Sequence, residues 1–235
     1  MQAAVEAAEA GKRVILVEQD NILGASLIRD PQELDAAWIA ATAARIRAAG
    51  GRILTRTTAS GYWEHDLVTL TQRLSEPGQV PANGVAQRLW HVRARQVILA
   101  NGSIERPMAF AHNDRPGVML SQALRSYVRR FGVVPGKRLV IATNNDDAYR
   151  TALALAEAGS SIAAILDSRP ADGVHSALVQ KAMAQLPVHF GAKLIAAKGS
   201  AKGLKGASAL IEGKVTALDC DLIAVSGGFS PVTHS

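Results

Sequence analysis

The sequence is poor in the residues that mark several protein classes. It holds one cysteine, Cys220, in 235 residues. No internal disulfide and no cysteine-based metal cluster can form within it. Aromatic residues make up 4%, which argues against a platform on which nucleic-acid bases stack. The longest apolar runs, such as residues 14–17 and 162–166, are a fraction of the roughly 20 residues that cross a bilayer. The N-terminus lacks the basic region of a secretory signal and carries Glu6 and Glu9 in an alanine-rich stretch, so a reducing, cytoplasmic setting is expected. The six histidines show neither H-x-x-E-H nor H-x-H spacing, and G-x-S-x-G is absent. Metal binding and serine-nucleophile chemistry are not expected. Basic residues outnumber acidic ones 26 to 20, a net charge of +6. They are scattered rather than blocked, so neither a nucleic-acid tract nor a membrane anchor is read from them.

What is present describes a core-forming α/β chain. Hydrophobic residues are 48% and charged residues 20%, the balance of a globular protein. At roughly 150 residues per domain the length suits one large domain or two small ones. Residues 2–10 (QAAVEAAEA) favour a helix that Gly11 stops. After Lys12 and Arg13, residues 14–17 (VILV) form a short apolar run that ends in Glu18. Helix, glycine, buried strand and terminal acid match the second half of a dinucleotide-binding βαβ unit. An acid at that strand end accepts both hydroxyls of an adenosine ribose and repels a 2′-phosphate, which favours NAD or FAD over NADP. The same pattern also describes an ordinary helix–strand pair with a surface glutamate. The opening strand and its G-x-G-x-x-G turn are missing, and Met1 stands about where the last glycine belongs.

Downstream, Gly24 and Ser26 form a small, hydroxyl-bearing loop that suits a ribose or a pyrophosphate, or simply a turn. Residues 31–49 read as an amphipathic helix opened by Pro31 and closed by Gly50-Gly51, and residues 52–58 as one strand. Ala59 falls where a main-chain contact to adenine is expected. Tyr62, Trp63 and residues 67–70 suggest a strand broken at 64–66, and residues 88–95 an exposed hairpin strand. Residues 96–100 read as a buried strand entering Asn101-Gly102-Ser103, followed by Ile104-Glu105-Arg106-Pro107. A strand ending in Ala-x-Gly before x-x-Arg-Pro is the hinge pattern of flavoproteins with two dinucleotide domains, and Gly102 would let the backbone pass close to a cofactor.

Pro135-Gly136 marks an expected boundary between domains at 1–135 and 136–235. Residues 137–143, 146–158 and 161–166 repeat the strand–helix–strand order and end in Asp167. The turn is TNNDDAY, without glycine, and its two carboxylates repel a pyrophosphate. This second domain is therefore read as Rossmann-like but closed to dinucleotides, with Asp167 a relic or a surface charge. Gly227-Gly228 follows a strand with no helix start after it, so a return turn is expected. Cys220 reads as a small apolar core residue.

The runs NNDDAYRTALALAEAG, NDRPGVML and DLIAVSGGFSPVTH, in this order with VILVEQ and QVILANGSIERP, resemble the alpha subunit of heterotetrameric sarcosine oxidase over essentially the whole chain. The fold the resemblance implies is α/β, with two Rossmann-like units of the FAD/NAD-linked reductase type. The first lacks its opening strand and glycine turn, so the chain is expected to be an internal piece of a longer subunit. In that family the complete enzyme oxidatively demethylates sarcosine to glycine and passes one-carbon units to folate. The amine is oxidised on a flavin carried mainly by a partner subunit, while the alpha segment holds NAD in the site that related reductases use for FAD. The residues implied for that NAD are Glu18, Gln19, Asp20, Ser26, Ala59 and Gly102. None of them is catalytic. The expected partners are the other subunits of a hetero-oligomer. Two alternatives stay open: an FAD- or NAD-binding alpha subunit of an opine or amino-acid dehydrogenase, and a docking subunit without cofactor.

Overall fold

The computed structural model describes residues 1–24, 36–76, 78–79, 81 and 84–232. The chain divides into two compact units, residues 1–101 and 102–232. Residues 118–131, which lie before the boundary expected at Pro135-Gly136, pair and pack inside the second unit.

The first unit opens with α1 (Gln2–Glu9), which buries Val5 and Ala8. It leads into β1 (Ile15–Val17). Helix α2 (Ala36–Ala48) buries Thr42, Ala43 and Ile46. Gly51 ends it where a side chain would strike Ile46, since a Cβ there would sit 2.7 Å from the Ile46 methyl. Strand β2 (Arg52–Leu54) then pairs parallel with β1. Residues 52–58 do not form one strand. The chain breaks at Arg56, which takes a positive φ of 52°, and β3 (Thr57–Trp63) starts a separate antiparallel meander with β4 (Leu67–Arg73) and β5 (Gln87–Arg93). Leu54, Val68 and Leu70 form a small core, with Val17, Trp90 and Val92 packed against it. The guanidinium groups of Arg52 and Arg88 lie over the Trp90 ring, 5.3 and 5.4 Å from its centroid.

Residues 96–100, expected as a buried strand, are neither strand nor buried. Val97, Ile98 and Leu99 are 43%, 70% and 56% exposed. An apolar run becomes a buried strand only when neighbours satisfy its backbone and cover its faces. Here no described strand pairs with residues 96–100, and β1 pairs with β2 alone among the described strands.

The second unit is built on a five-stranded sheet, parallel throughout. Its strands are β7 (Val118–Leu120), β8 (Arg138–Thr143), β9 (Ser161–Asp167), β10 (Val188–Phe190) and β14 (Leu222–Ser226), in the order β10-β9-β8-β14-β7. Alternate residues feed two cores, as the period of a strand demands. Leu139 and Ile141 of β8 and Leu222 and Ala224 of β14 face the helices α3 (Ser121–Phe131), α4 (Asp147–Glu157) and α5 (Ala177–Met183). Val140, Ala142, Ile223 and Val225 face the antiparallel sheet of β11 (Lys193–Ser200), β12 (Gly203–Ile211) and β13 (Lys214–Leu218). Cys220 is buried in that second core as a free thiol, and burial first, then Asp221 and Asp219, pushes its pKa up to about 12. A two-stranded ribbon, β6 (Ser103–Glu105) with β15 (Phe229–Pro231), closes the unit. Among the described residues no helix is long and apolar enough to cross a membrane.

Candidate functional site

In the first unit the candidate residues gather at the carboxyl end of β1. That end is where parallel α/β sheets present ligand-binding loops. Glu18 leaves the strand half-buried, with its backbone N–H donating to Leu54 O at 2.9 Å. The chain turns back on itself through the glutamate side chain, because the Asp20 N–H donates to Glu18 Oε1 at 3.0 Å. The other carboxylate oxygen has no partner among the described residues. Two further bonds stitch this turn to the start of β3. Thr57 N–H donates to Glu18 O at 2.9 Å and Arg56 N–H to Asp20 O at 2.7 Å. The structure thus brings Glu18 and Asp20 together with residues 56–57, and the exposed Ala59 follows two residues along β3. Gln19 is exposed on the same turn. Ser26 lies outside the described residues. Gly102 belongs to the second unit, where it is exposed at φ +68° and its carbonyl accepts Val232 N–H at 3.0 Å.

The site has one contributor that the sequence did not mark. Arg56 turns the chain with a positive φ and bonds Asp20 from its backbone, so it shapes the floor of the loop. An arginine in that conformation carries no local signal, because glycine or asparagine is the usual occupant.

The second unit presents the corresponding strand end at Asp167. Rather than a surface charge, Asp167 is fully buried. Arg169 N–H donates to Asp167 Oδ1 at 3.0 Å, the same two-residue backbone turn seen at Glu18 and Asp20. Here the side chain also closes on the acid. Arg169 Nε lies 3.0 Å from Asp167 Oδ1 and Nη2 lies 2.7 Å from Oδ2. The Tyr149 hydroxyl donates to Oδ2 at 2.7 Å, and burial followed by that carboxylate raises the phenol well above its ordinary pKa. Arg169 Nη1 reaches Asp146 Oδ1 at 2.7 Å, at the N-terminus of α4. Asp146 is the N-cap residue of that helix but makes no cap bond through its side chain. Asn145, just before it, accepts Asp147 N–H at 3.1 Å through Oδ1. The Asn145 amide also donates to Ser226 O and Oγ, at 3.1 and 3.0 Å, and so ties the carboxyl end of β8 to that of β14. Among the described residues no group of His, Cys, Asp and Glu is arranged to hold a metal ion.

Two solved structures share this architecture. The L-proline dehydrogenase of P. horikoshii superposes with a TM-score of 0.67 at 16% identity, covering 97% of this chain and 40% of that one. The thioredoxin reductase of Lactococcus lactis does so at 0.69 and 16%, covering 98% and 74%. Such identities define a fold: α/β, with Rossmann-like units of the FAD/NAD(P)-linked reductase type. The sequence relatives are more specific. Over its whole length the chain is 35% identical to the sarcosine oxidase subunit alpha of Rhizobium meliloti (strain 1021) and 37% identical to that of Corynebacterium sp. (strain P-1). It spans 24% and 25% of those two proteins, about a quarter of the curated relatives it matches. No family model matches the chain.

Proposed function

We propose that the chain is the NAD-binding portion of a sarcosine oxidase alpha subunit. The complete enzyme would be an oxidoreductase that demethylates sarcosine to glycine and hands the one-carbon unit to folate, with the amine oxidised on a flavin of a partner subunit. The sequence relatives support this assignment. The observation that supports the nucleotide is Glu18: a carboxylate at the carboxyl end of a parallel strand, one oxygen tied to the Asp20 N–H at 3.0 Å and the other without a partner among the described residues. That arrangement suits the vicinal hydroxyls of an adenosine ribose and opposes a 2′-phosphate. Gln19 and Asp20 border the ribose in this reading and Ala59 offers main chain to the adenine, while Ser26 and Gly102 are carried over from the family resemblance alone.

The first unit fits such a group in one further respect. The second edge of β1 is unpaired among the described strands, and Val97, Ile98 and Leu99 stand exposed. A strand carrying a glycine turn, from the three quarters of the relatives that this chain does not span, would pair with that edge. Its backbone N–H groups would receive the pyrophosphate. When bound, NAD would supply the chain with a tightly held nucleotide, and the residues named here bind and orient it without taking part in bond-making. Cys220, a single buried thiol, is at ease in a reducing cytoplasm.

The test is made on the full-length subunit in its complex. Bound nucleotide is released by denaturation and identified by mass spectrometry, in the native protein and in Glu18→Ala. NAD is the expected product. The variant gives up two charge-assisted hydrogen bonds worth about 1.5–3 kcal/mol each, a weakening of about a hundredfold or more. Unchanged retention in Glu18→Ala refutes the ribose assignment. FAD in place of NAD points instead to an opine or amino-acid dehydrogenase subunit, and a folded complex without nucleotide to a docking role.

A further inference from the structure

The strand order of the second unit marks the position where a nucleotide cleft would fall. The sheet order reverses between β8 and β14, and in open α/β sheets ligands enter at that reversal. The two positions that would read a dinucleotide there are the acid at the end of β9 and the N-terminus of α4. Both are taken. We infer that this cleft is occupied by the chain's own Arg169, held between Asp167 and Asp146, and is thereby closed to free nicotinamide nucleotides.

Three observations carry the inference. First, Arg169 spans the site from end to end, with Nε and Nη2 on Asp167 and Nη1 on Asp146. Second, its backbone is fixed on both sides, since its N–H donates to Asp167 Oδ1 at 3.0 Å and its carbonyl accepts Gly191 N–H at 2.9 Å. Third, Asp167 is fully buried, and a buried carboxylate stripped of its cation is strongly unfavourable. A dinucleotide arrives as an anion. To enter it must displace the guanidinium that neutralises Asp167 while facing Asp146 and Asp147 at the helix start, and it brings nothing to replace that cation. Asn145 adds a second barrier by bridging β8 to Ser226 across the reversal. Both carboxylates hold the Arg169 cation well above its ordinary pKa, so its charge persists at any working pH.

An arginine just after this strand can have the opposite role and read the 2′-phosphate of NADP. The experiment separates the two. The full-length subunit in its complex, with its resident nucleotide in place, is titrated with NADPH and with NADH into the millimolar range by calorimetry. No saturable binding is expected for either. This arm needs no variant. Arg169→Ala is expected to lower Tm and to regain much of the loss in millimolar guanidinium, which refills the space between the two aspartates. Arg169→Lys, which keeps a cation, guards against a variant too unstable to purify and is expected to fall between the two. Saturable NADPH binding that Arg169→Ala weakens tenfold or more would overturn the inference, as would NADH binding to the native complex that persists in Glu18→Ala, or an Arg169→Ala variant with unchanged Tm. The result is independent of the first unit. A complex whose Glu18 site proves empty can still show a closed second cleft, and the reverse also holds.

Discussion

The ion pair between α3 and α4 offers a sharp test of how burial apportions an electrostatic contact. Arg125 on α3 is 2% exposed, and its guanidinium meets both Asp147 oxygens at 3.0 Å and the Asp147 carbonyl at 2.9 Å. Thr151, one turn on, donates to Ser121 O at 3.2 Å and completes the seam. The partners are unequal. Asp147 is 23% exposed, opens α4 where the helix dipole favours an anion, and has Arg150 at 4.0 Å. Arg125→Met therefore removes charge-assisted bonds but leaves a carboxylate that water and the helix can still accommodate. The expected loss is about 2–3 kcal/mol. Asp147→Ala leaves a buried guanidinium without its carboxylate and forfeits the dipole term, for an expected loss of about 3–5 kcal/mol. The double variant should resemble Arg125→Met alone, because the stranded charge is then gone. Amide hydrogen exchange along α4 and β8 in the full-length subunit reads these losses as opening free energies. An Arg125→Met loss equal to or larger than that of Asp147→Ala, or both below about 1 kcal/mol, would refute the argument from unequal burial.

Two further outcomes follow from single carboxylates. Glu105 is 4% exposed and accepts Gln122 N–H at 2.8 Å, and burial raises its pKa above the ordinary 4.5 despite the Ser226 hydroxyl and that amide. The folded state then holds the proton more tightly than the unfolded one, so stability should fall as pH rises from 4.5 through the raised value. Glu105→Gln should remove that slope in pH-dependent thermal melts, and a slope unchanged in the variant would sink the assignment. At the other candidate site, Asp20 occupies the position relative to Glu18 that Arg169 occupies relative to Asp167, with the same backbone bond. On the proposed NAD reading, Asp20→Arg should fold a guanidinium onto Glu18 and expel the nucleotide, read as loss of retained NAD by mass spectrometry. Full retention would show that the two turns are not equivalent.

The sequence makes much of the second unit readable and less of the first. In residues 137–167 the strand and helix periods agree with the turn residues, and β8, α4 and β9 form close to where those periods place them. Two apolar stretches mislead for a shared reason, which is that burial depends on neighbours. Residues 96–100 carry the composition of a buried strand yet lack a described partner, and they lie exposed. Residues 52–58 are uniformly β-prone, yet the break at Arg56 is fixed by its bond to Asp20, far away in sequence. Composition records neither the missing neighbour nor the distant bond.

The candidate site shows the same division. An acid at a strand end is legible at Glu18 and at Asp167, and local pattern makes the two alike. What separates them is where each side chain meets the rest of its unit. Glu18 stays half-buried beside an aspartate that cannot neutralise it, and among the described residues only the Asp20 N–H bonds its carboxylate, which is what the proposed ribose role requires. Asp167 lies in the core and survives there because Tyr149, eighteen residues back on α4, and Arg169 close over it. The turn sequence TNNDDAY signals hostility to phosphate, but only the packing shows that the hostile site is also filled. The same strand-end acid thus reads as an open receptor in one unit and as the counter-ion of an internal arginine in the other. The residue two positions on decides between them: an acid leaves the carboxylate available, and a guanidinium held against a buried carboxylate consumes it.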